Sequence, residues 1–272
     1  MNRVLITGGR GTLGRELTPR LLRAGYTVRL TSRRESTGQE APNQESVQLD
    51  LRTTTDLSAA LAGVDVLVHA ASDPLHTQEV DVGGTARLLE GARAAGVRHF
   101  IYISIVGIDR MQFAYYQQKL AAERLVEQVG VPWSILRVTQ FHSFIDRLLQ
   151  PLKRIAWSPI FLLPKDFQSQ PIDEGEVAQH FVEIINAGPG GRWPDIGGPE
   201  VLRLGEMASA WLAQQRLSRP VLGLYIPGKT AQGFRQGCNT DLGARYGRIT
   251  WHEWLAARYG QPASQPVVAL NK

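Results

Sequence analysis

The feature that most constrains this chain is a glycine-rich turn near its amino terminus, between a predicted strand and a predicted helix. The apolar run at positions 4–6 leads into residues 7–14, and a helical pattern of apolar residues follows at once. Glycines let the backbone turn sharply and approach a ligand, while amides at a helix start attract negative charge. The turn therefore predicts a diphosphate site made by Gly8, Gly9, Arg10, Gly11, Thr12, Leu13 and Gly14.

The first half of the chain alternates between short apolar strands and amphipathic helices. Strands are predicted at 3–7, 26–32, 46–49, 66–69, 99–104 and 133–137, and helices at 13–24, 54–61, 79–95 and 113–129. This alternation predicts an α/β fold with a Rossmann-type, doubly wound parallel sheet. Ligands of such sheets bind at the carboxyl ends of the strands.

The pattern changes after residue 140. Helices are predicted at 141–155, 177–186 and 204–216, and a last helix ends near 259, with capping boxes at 173–176 and 250–253. We therefore predict an NAD(P)-binding domain at 1–140 and a small C-terminal α/β lobe at 141–260. This substrate-binding lobe is interleaved with the edge of the sheet, and 261–272 is a poorly ordered tail.

Composition excludes several classes of function. The net charge is +5, but the basic residues are scattered singly, which favours a basic cleft for a polyphosphate cofactor over a nucleic-acid surface. Cys238 is the only cysteine, and the six histidines lack metal-ligand spacing. No apolar run approaches the length of a membrane span. We expect a cytoplasmic protein without metal, nucleic-acid partner or membrane association.

The residues after the second strand bear on the choice of cofactor. NAD enzymes usually carry a carboxylate there, whereas this chain has Ser32, Arg33 and Arg34. Arginine forms charge-assisted bonds with a 2′-phosphate, and Arg10 lies within reach of the same group. The pattern favours NADP (NADPH) over NAD. The alternative is that these arginines are solvated loop charges, and the neighbouring Glu35 weakens the case slightly.

Two further strand ends carry candidate cofactor contacts. Asp50 and Leu51 follow the third strand, where a carboxylate can accept a hydrogen bond from the adenine amino group; a turn or helix-cap aspartate is an equal alternative. Ala70, Ala71 and Ser72 follow the fourth strand. Their small size lets the backbone pass close to the cofactor's ribose and phosphates.

Candidate chemistry converges near the fifth strand and the helix after it. Ser104 ends the strand, and Tyr115 and Lys119 are four residues apart in the helix, with Tyr116 and Lys119 three apart as a second pairing. A nearby ammonium lowers the pKa of a phenol, which would then exchange a proton with a carbonyl or alcohol. Lys119 is also a candidate contact to the nicotinamide ribose. The alternative is an amphipathic helix with packed tyrosines and a solvated lysine.

These motifs resemble those of the atypical short-chain dehydrogenases/reductases, and most of all the NmrA-like NAD(P)-binding proteins. The resemblance also covers residues 84–89, 94–104, 135–137, 197–200 and 250–251. It implies a Rossmann domain, a small lobe closing over the substrate, catalytic roles for Ser104, Tyr115 and Lys119, and a nicotinamide pocket lined from Arg137 to Phe141. Ile105 stands where a second serine is usual, and the loop 106–112 is short, which limits the reach of Tyr115.

Aromatic residues mark the transition into the second lobe. Phe141, His142 and Trp157 are the candidate substrate contacts, although aromatic residues at helical spacing are also typical of a core. The favoured function is reduction of a small carbonyl or quinone-type substrate by hydride transfer from NADPH. A non-catalytic NADP(H) sensor of NmrA type and a nucleotide-sugar epimerase are the alternatives. A monomer and a homodimer are both compatible with the sequence.

Overall fold

The computed structural model describes residues 2–33, 40–153 and 160–260, with the side chains of 152 and 153 excepted. Arg34, Trp157 and the predicted tail 261–272 lie outside the described residues. The strands are β1 (Arg3–Thr7), β2 (Thr27–Ser32), β3 (Gln44–Gln48), β4 (Val66–His69), β5 (His99–Ile105), β6 (Trp133–Val138), β7 (Phe161–Leu163), β8 (Gln168–Ser169), β9 (Gly191–Arg192), β10 (Leu202–Arg203) and β11 (Val221–Gly223).

The helices lie between and after these strands along the chain. They are α1 (Thr12–Arg23), α2 (Ser58–Leu61), α3 (Thr85–Ala94), α4 (Ala114–Gln128), α5 (His142–Lys153), α6 (Glu174–Ala187), α7 (Leu204–Gln214), α8 (Lys229–Arg235) and α9 (Trp251–Tyr259). A π-helical turn, Gln78–Gly84, leads directly into α3. No helix in the described part of the chain combines the length and apolar character needed to cross a membrane.

In the described residues a seven-stranded parallel sheet runs in the order β3-β2-β1-β4-β5-β6-β9. The order reverses between β1 and β4, and this switch point opens a crevice at the carboxyl ends of the strands. Helices cover both faces, so the predicted fold class, a doubly wound Rossmann-type sheet, is confirmed.

Each face of the sheet has its own apolar core. On one face Leu17 and Leu21 of α1 pack with Phe181 and Ile184 of α6, and all four side chains are inaccessible to solvent. On the other face α2, α3 and α4 bury residues such as Leu89 and Val126. Burial on both faces explains why the strands are continuous apolar runs without polar alternation.

The segment around α6 and β9 returns from the second half of the chain to the sheet. Asp173 caps α6 by accepting hydrogen bonds from the amides of Gly175 and Glu176. Arg192 of β9 forms ion pairs with Glu123 (2.9 Å) and Glu127 (2.7 Å) of α4. The residues that complete the sheet thus come from the range predicted as the second lobe.

A separate core organises the rest of the second half. Trp211 of α7 and Trp251 of α9 are fully buried there, together with Phe161 of β7. The strands β7 and β11 pair in parallel, and β8 and β10 pair antiparallel. The capping box predicted for the last helix is present, with Thr250 and Glu253 exchanging hydrogen bonds.

Several elements differ from the sequence prediction, which does not include β7, β8, β10, β11 or α8. The helix expected at 54–61 is only α2, because the amides of Thr53 and Thr54 bond to the Asp50 carbonyl in a turn and the Asp56 carboxylate receives the Ser58 amide. The helix expected at 79–95 begins as the π-helical turn. The glycine- and proline-rich residues 188–191 lead into β9, which is too short for its pattern to be visible in the sequence.

Buried histidines make the fold sensitive to acid. Burial lowers the pKa of His69 to about 3 and those of His99 and His142 to about 4. The unfolded chain protonates these rings near pH 6.5, whereas the folded protein keeps them neutral down to about pH 4. Between these pH values the unfolded state binds more protons, so the free energy of unfolding decreases as the pH is lowered. Each ring contributes up to about 1.4 kcal/mol per pH unit.

We therefore expect the free energy of unfolding, measured with urea, to be several kcal/mol lower at about pH 5 than at about pH 7. His252→Gln is the matched control, since His252 is exposed and its replacement should leave the difference intact. Equal stability at the two pH values would contradict neutral burial of the three rings.

Candidate active site

The glycine turn has the geometry of a cradle for an anion. Gly8 has a φ of +69°, and its carbonyl accepts the Gly11 amide at 2.8 Å. A Cβ on Gly14 would lie 2.5 Å from the Cα of Gly9, and one on Gly8 would lie 3.0 Å from the Ala70 carbonyl oxygen. Only glycines allow this approach of α1 to β1 and β4, which leaves main-chain amides facing the crevice. The turn fits a diphosphate.

A cleft of about 680 Å³ opens beside this turn. It is bordered by the carboxyl ends of β1 to β4 and lined by Gly8, Arg10, Gly11, Thr31, Ser32, Arg33, Leu49, Asp50, Leu51, Arg52, Ala70, Ala71, Ser72, Asp73 and Val80. Most of the predicted cofactor contacts are thus brought together in one place. Thr12 adjoins the cleft as the first residue of α1, and Leu13 is buried, so that only its amide is available to a ligand.

A buried chain of hydrogen bonds supports the floor of the cleft. His69 bonds to the Thr7 hydroxyl at 2.7 Å through Nδ1 and to the Thr85 hydroxyl at 2.9 Å through Nε2. The Thr7 hydroxyl also accepts the amides of Ala70 (3.2 Å) and Ala71 (3.3 Å). Because its ring is neutral, His69 fixes the loop after β4 without placing a buried charge beneath the cleft.

Two arginines in the cleft are paired with carboxylates. Arg33 has a side chain 66% exposed and lies 3.9 Å from the carboxylate of Asp73. Arg52 donates to both carboxylate oxygens of Asp50, at 3.0 and 3.3 Å, and these hydrogen bonds lower the pKa of Asp50. Sequence reasoning missed Arg52 and Asp73, although each directly follows a predicted contact.

Tyr115 reaches the cleft through a hydroxyl pair. Its phenolic oxygen lies 2.9 Å from Oγ of Ser72, which lines the cleft. Burial raises the pKa of Tyr115 to about 12, and the hydrogen bond with Ser72 offsets only part of this rise. The direction is opposite to the predicted lowering by Lys119. Tyr116 is only 4% exposed and packs in an aromatic cluster with Phe113. Its hydroxyl accepts a hydrogen bond from Gln140.

Lys119 lies beneath the cleft and forms no hydrogen bond with Tyr115. Its ammonium donates to the carbonyl of Ile103 at 3.0 Å, lies 3.8 Å from a carboxylate oxygen of Asp81, and sits 4.1 Å from the ring centre of Tyr102. Burial lowers the pKa of Lys119 to about 8. The other oxygen of Asp81 accepts the Asp73 amide, so the lysine is linked to the cleft wall only indirectly.

Ser104 and Arg137 lie on neighbouring strands, away from the cleft lining. Ser104 is 2% exposed and shares a sheet face with Tyr102, which α4 covers. Arg137 donates to both carboxylate oxygens of Glu123 at 2.9 and 2.8 Å and to Asp109 at 3.0 Å. The hydrogen bonds to Glu123 raise the pKa of Arg137, so that the guanidinium is committed to this network.

The candidate substrate contacts in the described residues, Phe141 and His142, do not line the cleft. His142 is fully buried, bonds to the Ile249 carbonyl at 3.0 Å and stacks 5.7 Å from the rings of both Trp251 and Trp254. The structure thus packs His142 against α9, and it does not line the cleft beside the glycine turn. Phe141 is half-buried against the core of the sheet, and Trp157 lies outside the described residues.

Comparison with known proteins identifies the family of this chain. A sequence model of a protein family described as NAD(P)H-binding matches residues 8–186, more than half of the chain. A reductase of (4-alkanoyl-5-oxo-2,5-dihydrofuran-3-yl)methyl phosphate from Streptomyces griseus is 28% identical over 76% of this chain and 71% of its own length. An L-arabinose 1-dehydrogenase (NAD(P)(+)) from Haloferax volcanii is 30% identical over 70% of this chain and 79% of its own.

Solved structures agree on the fold. The NADPH-dependent quinone oxidoreductase QOR2 of Escherichia coli, solved with NADPH, superposes with a TM-score of 0.76 at 17% identity, covering 94% of this chain and 99% of that protein. The chain spans less than half the length of several other curated relatives that it matches.

Proposed function

Because the chain belongs to the NAD(P)H-binding family, in the atypical short-chain dehydrogenase/reductase group, we propose that it is an NADPH-dependent reductase of a small carbonyl or quinone-type substrate. The observation that carries this proposal is the hydroxyl pair of Tyr115 and Ser72 at the cleft that the glycine turn borders. The relatives named as a reductase, a dehydrogenase and a quinone oxidoreductase support the same class of reaction.

The residues of this chain divide the work between binding and proton supply. The amides of Thr12 and Leu13 in the first turn of α1 hold the diphosphate, and the loop at Ala70 and Ala71 allows close approach of the ribose. Bound NADPH would supply the hydride. Tyr115 donates the proton to the substrate oxygen, and its pKa of about 12 keeps it protonated through neutral pH. Ser72 then stabilises the phenolate by donating a hydrogen bond to it.

The choice of NADPH over NADH rests on Arg33. Its exposed guanidinium stands at the carboxyl end of β2, where a 2′-phosphate on the adenosine ribose is expected, and Asp73 is its present counter-ion. Arg52 lines the same part of the cleft, and its charge is partly offset by Asp50. The 2′-phosphate would add a stronger charge-assisted partner for both guanidinium groups.

We expect Arg33→Ser to raise the Kd for NADPH by about tenfold, with little change for NADH, because only NADPH carries the 2′-phosphate. Fluorescence titration of both dinucleotides in one buffer measures the two constants. Asp73→Asn is the opposing variant, since removing the competing carboxylate should tighten NADPH binding. If Arg33→Ser weakened the binding of NADH and NADPH equally, Arg33 would not recognise the 2′-phosphate.

The reductase activity is tested by following NADPH absorbance with a panel of quinones, aldehydes and ketones. Turnover with at least one of them, dependent on the cleft residues, is the expected result. NADPH binding without turnover of any member of the panel would contradict the proposed enzyme.

One observation favours a second candidate, a non-catalytic NADP(H) sensor. The lysine of the family's catalytic motif, Lys119, is buried against Asp81 and Tyr102 and forms no hydrogen bond with Tyr115. A sensor needs the cofactor cleft and not an assembled proton donor. Tight binding without turnover, together with a partner protein whose affinity changes with NADP(H), would support this candidate.

A further inference from the structure

A residue from the second half of the chain reaches the glycine turn. Arg147 of α5 donates a hydrogen bond of 2.9 Å from Nη1 to the hydroxyl of Thr12, the first residue of α1. The two residues are 135 positions apart, and both are near the amides that face the expected diphosphate. Arg147 is exposed to solvent. Its backbone is held in place because Ile145 and Leu149 of the same helix are buried in the core of the second half.

The charges around this contact are unbalanced. The first turn of α1 contains no acidic residue, and its cap, Gly11, offers no side chain. In residues 2–33, 40–153 and 160–260, no carboxylate forms an ion pair with Arg147. A guanidinium therefore stands beside the positive end of a helix with one neutral hydroxyl between them. This arrangement attracts an anion with two or more acceptor oxygens.

We propose that Arg147 binds the diphosphate of the dinucleotide beside the first turn of α1, next to the glycine turn. The inference rests on the proposed function, because it requires a dinucleotide in the cleft. The amides of the turn contact one side of the diphosphate and the guanidinium contacts another, so the ligand joins α1 to α5. Thr12 holds the guanidinium at the correct position before the ligand arrives.

This role differs from that of Arg33 in a measurable way. The diphosphate is common to NADPH and NADH, whereas the 2′-phosphate belongs to NADPH alone. Arg147 therefore strengthens binding of both dinucleotides by the same factor and leaves the preference between them unchanged. Arg147 does not change the affinity for adenosine 2′-monophosphate, because that ligand lacks the diphosphate.

The test is a titration of wild type and Arg147→Gln with NADPH, NADH and adenosine 2′-monophosphate. We expect the Kd of both dinucleotides to rise about tenfold and that of adenosine 2′-monophosphate to stay constant. The salt dependence of NADPH binding should also become weaker, because one charge fewer faces the ligand. Arg147→Lys, which keeps the charge without the planar fork, should lie between wild type and Arg147→Gln.

Arg23→Gln is the matched control. It removes the same charge from the opposite end of α1, where Arg23 bonds to the Pro19 carbonyl, and should leave all three constants unchanged. If Arg147 only ties α5 to α1, Arg147→Gln lowers the unfolding temperature of the free protein without changing either Kd, and the inference is overturned. A loss confined to NADPH overturns it as well. Failure of the wild type to bind either dinucleotide instead refutes the proposed function, and this inference with it.

Discussion

Replacement of Gly14 by alanine is expected to reduce the affinity for NADPH at least a hundredfold. The new Cβ would lie 2.5 Å from the Cα of Gly9 and closer still to its carbonyl oxygen. Both contacts are with backbone, so relief requires α1 to move away from β1. That movement takes the amides of the first turn out of reach of the diphosphate. Isothermal titration calorimetry of wild type and Gly14→Ala measures the loss.

Gly83→Ala is the control for the insertion of a methyl group. Gly83 lies in the π-helical turn, and a Cβ there has no neighbour closer than 3.4 Å. This variant should bind NADPH as the wild type does. Urea denaturation of Gly14→Ala shows whether the variant is folded when its binding is measured. A folded Gly14→Ala that binds NADPH within twofold of wild type would remove the basis for a diphosphate at this turn.

Replacement of Tyr115 by phenylalanine is expected to lower kcat for the best substrate of the panel by about a hundredfold or more, with the Kd for NADPH nearly unchanged. Only the hydroxyl is lost, and with it the proton donor that Ser72 supports at 2.9 Å. Since the pKa of Tyr115 is raised to about 12, wild-type activity should show no loss of this acid between neutral and mildly alkaline pH.

The neighbouring tyrosine provides the control. Tyr116→Phe removes a hydroxyl that bonds to Gln140 in a buried cluster, so it should change stability more than kcat. Ser72→Ala should reduce kcat less than Tyr115→Phe, because it removes the partner of the acid and not the acid itself. Full activity in Tyr115→Phe would show that hydride transfer proceeds without this residue.

The sheet and the cofactor cleft were predictable because both depend on local pattern. Continuous apolar strands alternating with helices specify a parallel sheet covered on both faces, and its topology then brings the strand ends together. Positions such as Gly8, Asp50 and Ser72 follow from that rule alone. Arg52 and Asp73 obey the same rule one residue further along, where no family pattern singles them out.

The chemistry of the fifth strand was less predictable because it depends on side-chain direction across elements. Spacing places Tyr115 and Lys119 on one face of α4, but the two side chains diverge. The ammonium of Lys119 is held by the carbonyl of Ile103 and by Asp81, which lies in the π-helical turn. No periodicity in the sequence indicates that turn. The raised pKa of Tyr115 results from burial of its side chain, which depends on the tertiary structure and is not visible in the residue spacing.

The return of α6 and β9 to the sheet has a consequence for how the chain is made. During synthesis the first 140 residues emerge with the α1 face of the sheet uncovered and the β6 edge unpaired. Phe181 and Ile184 must leave the ribosome before Leu17 and Leu21 are shielded, and Arg192 must follow before Glu123 has its second guanidinium. Until then the nascent chain exposes an apolar surface on which chaperones can act. A fragment ending near residue 140 would carry the same surface permanently and should aggregate.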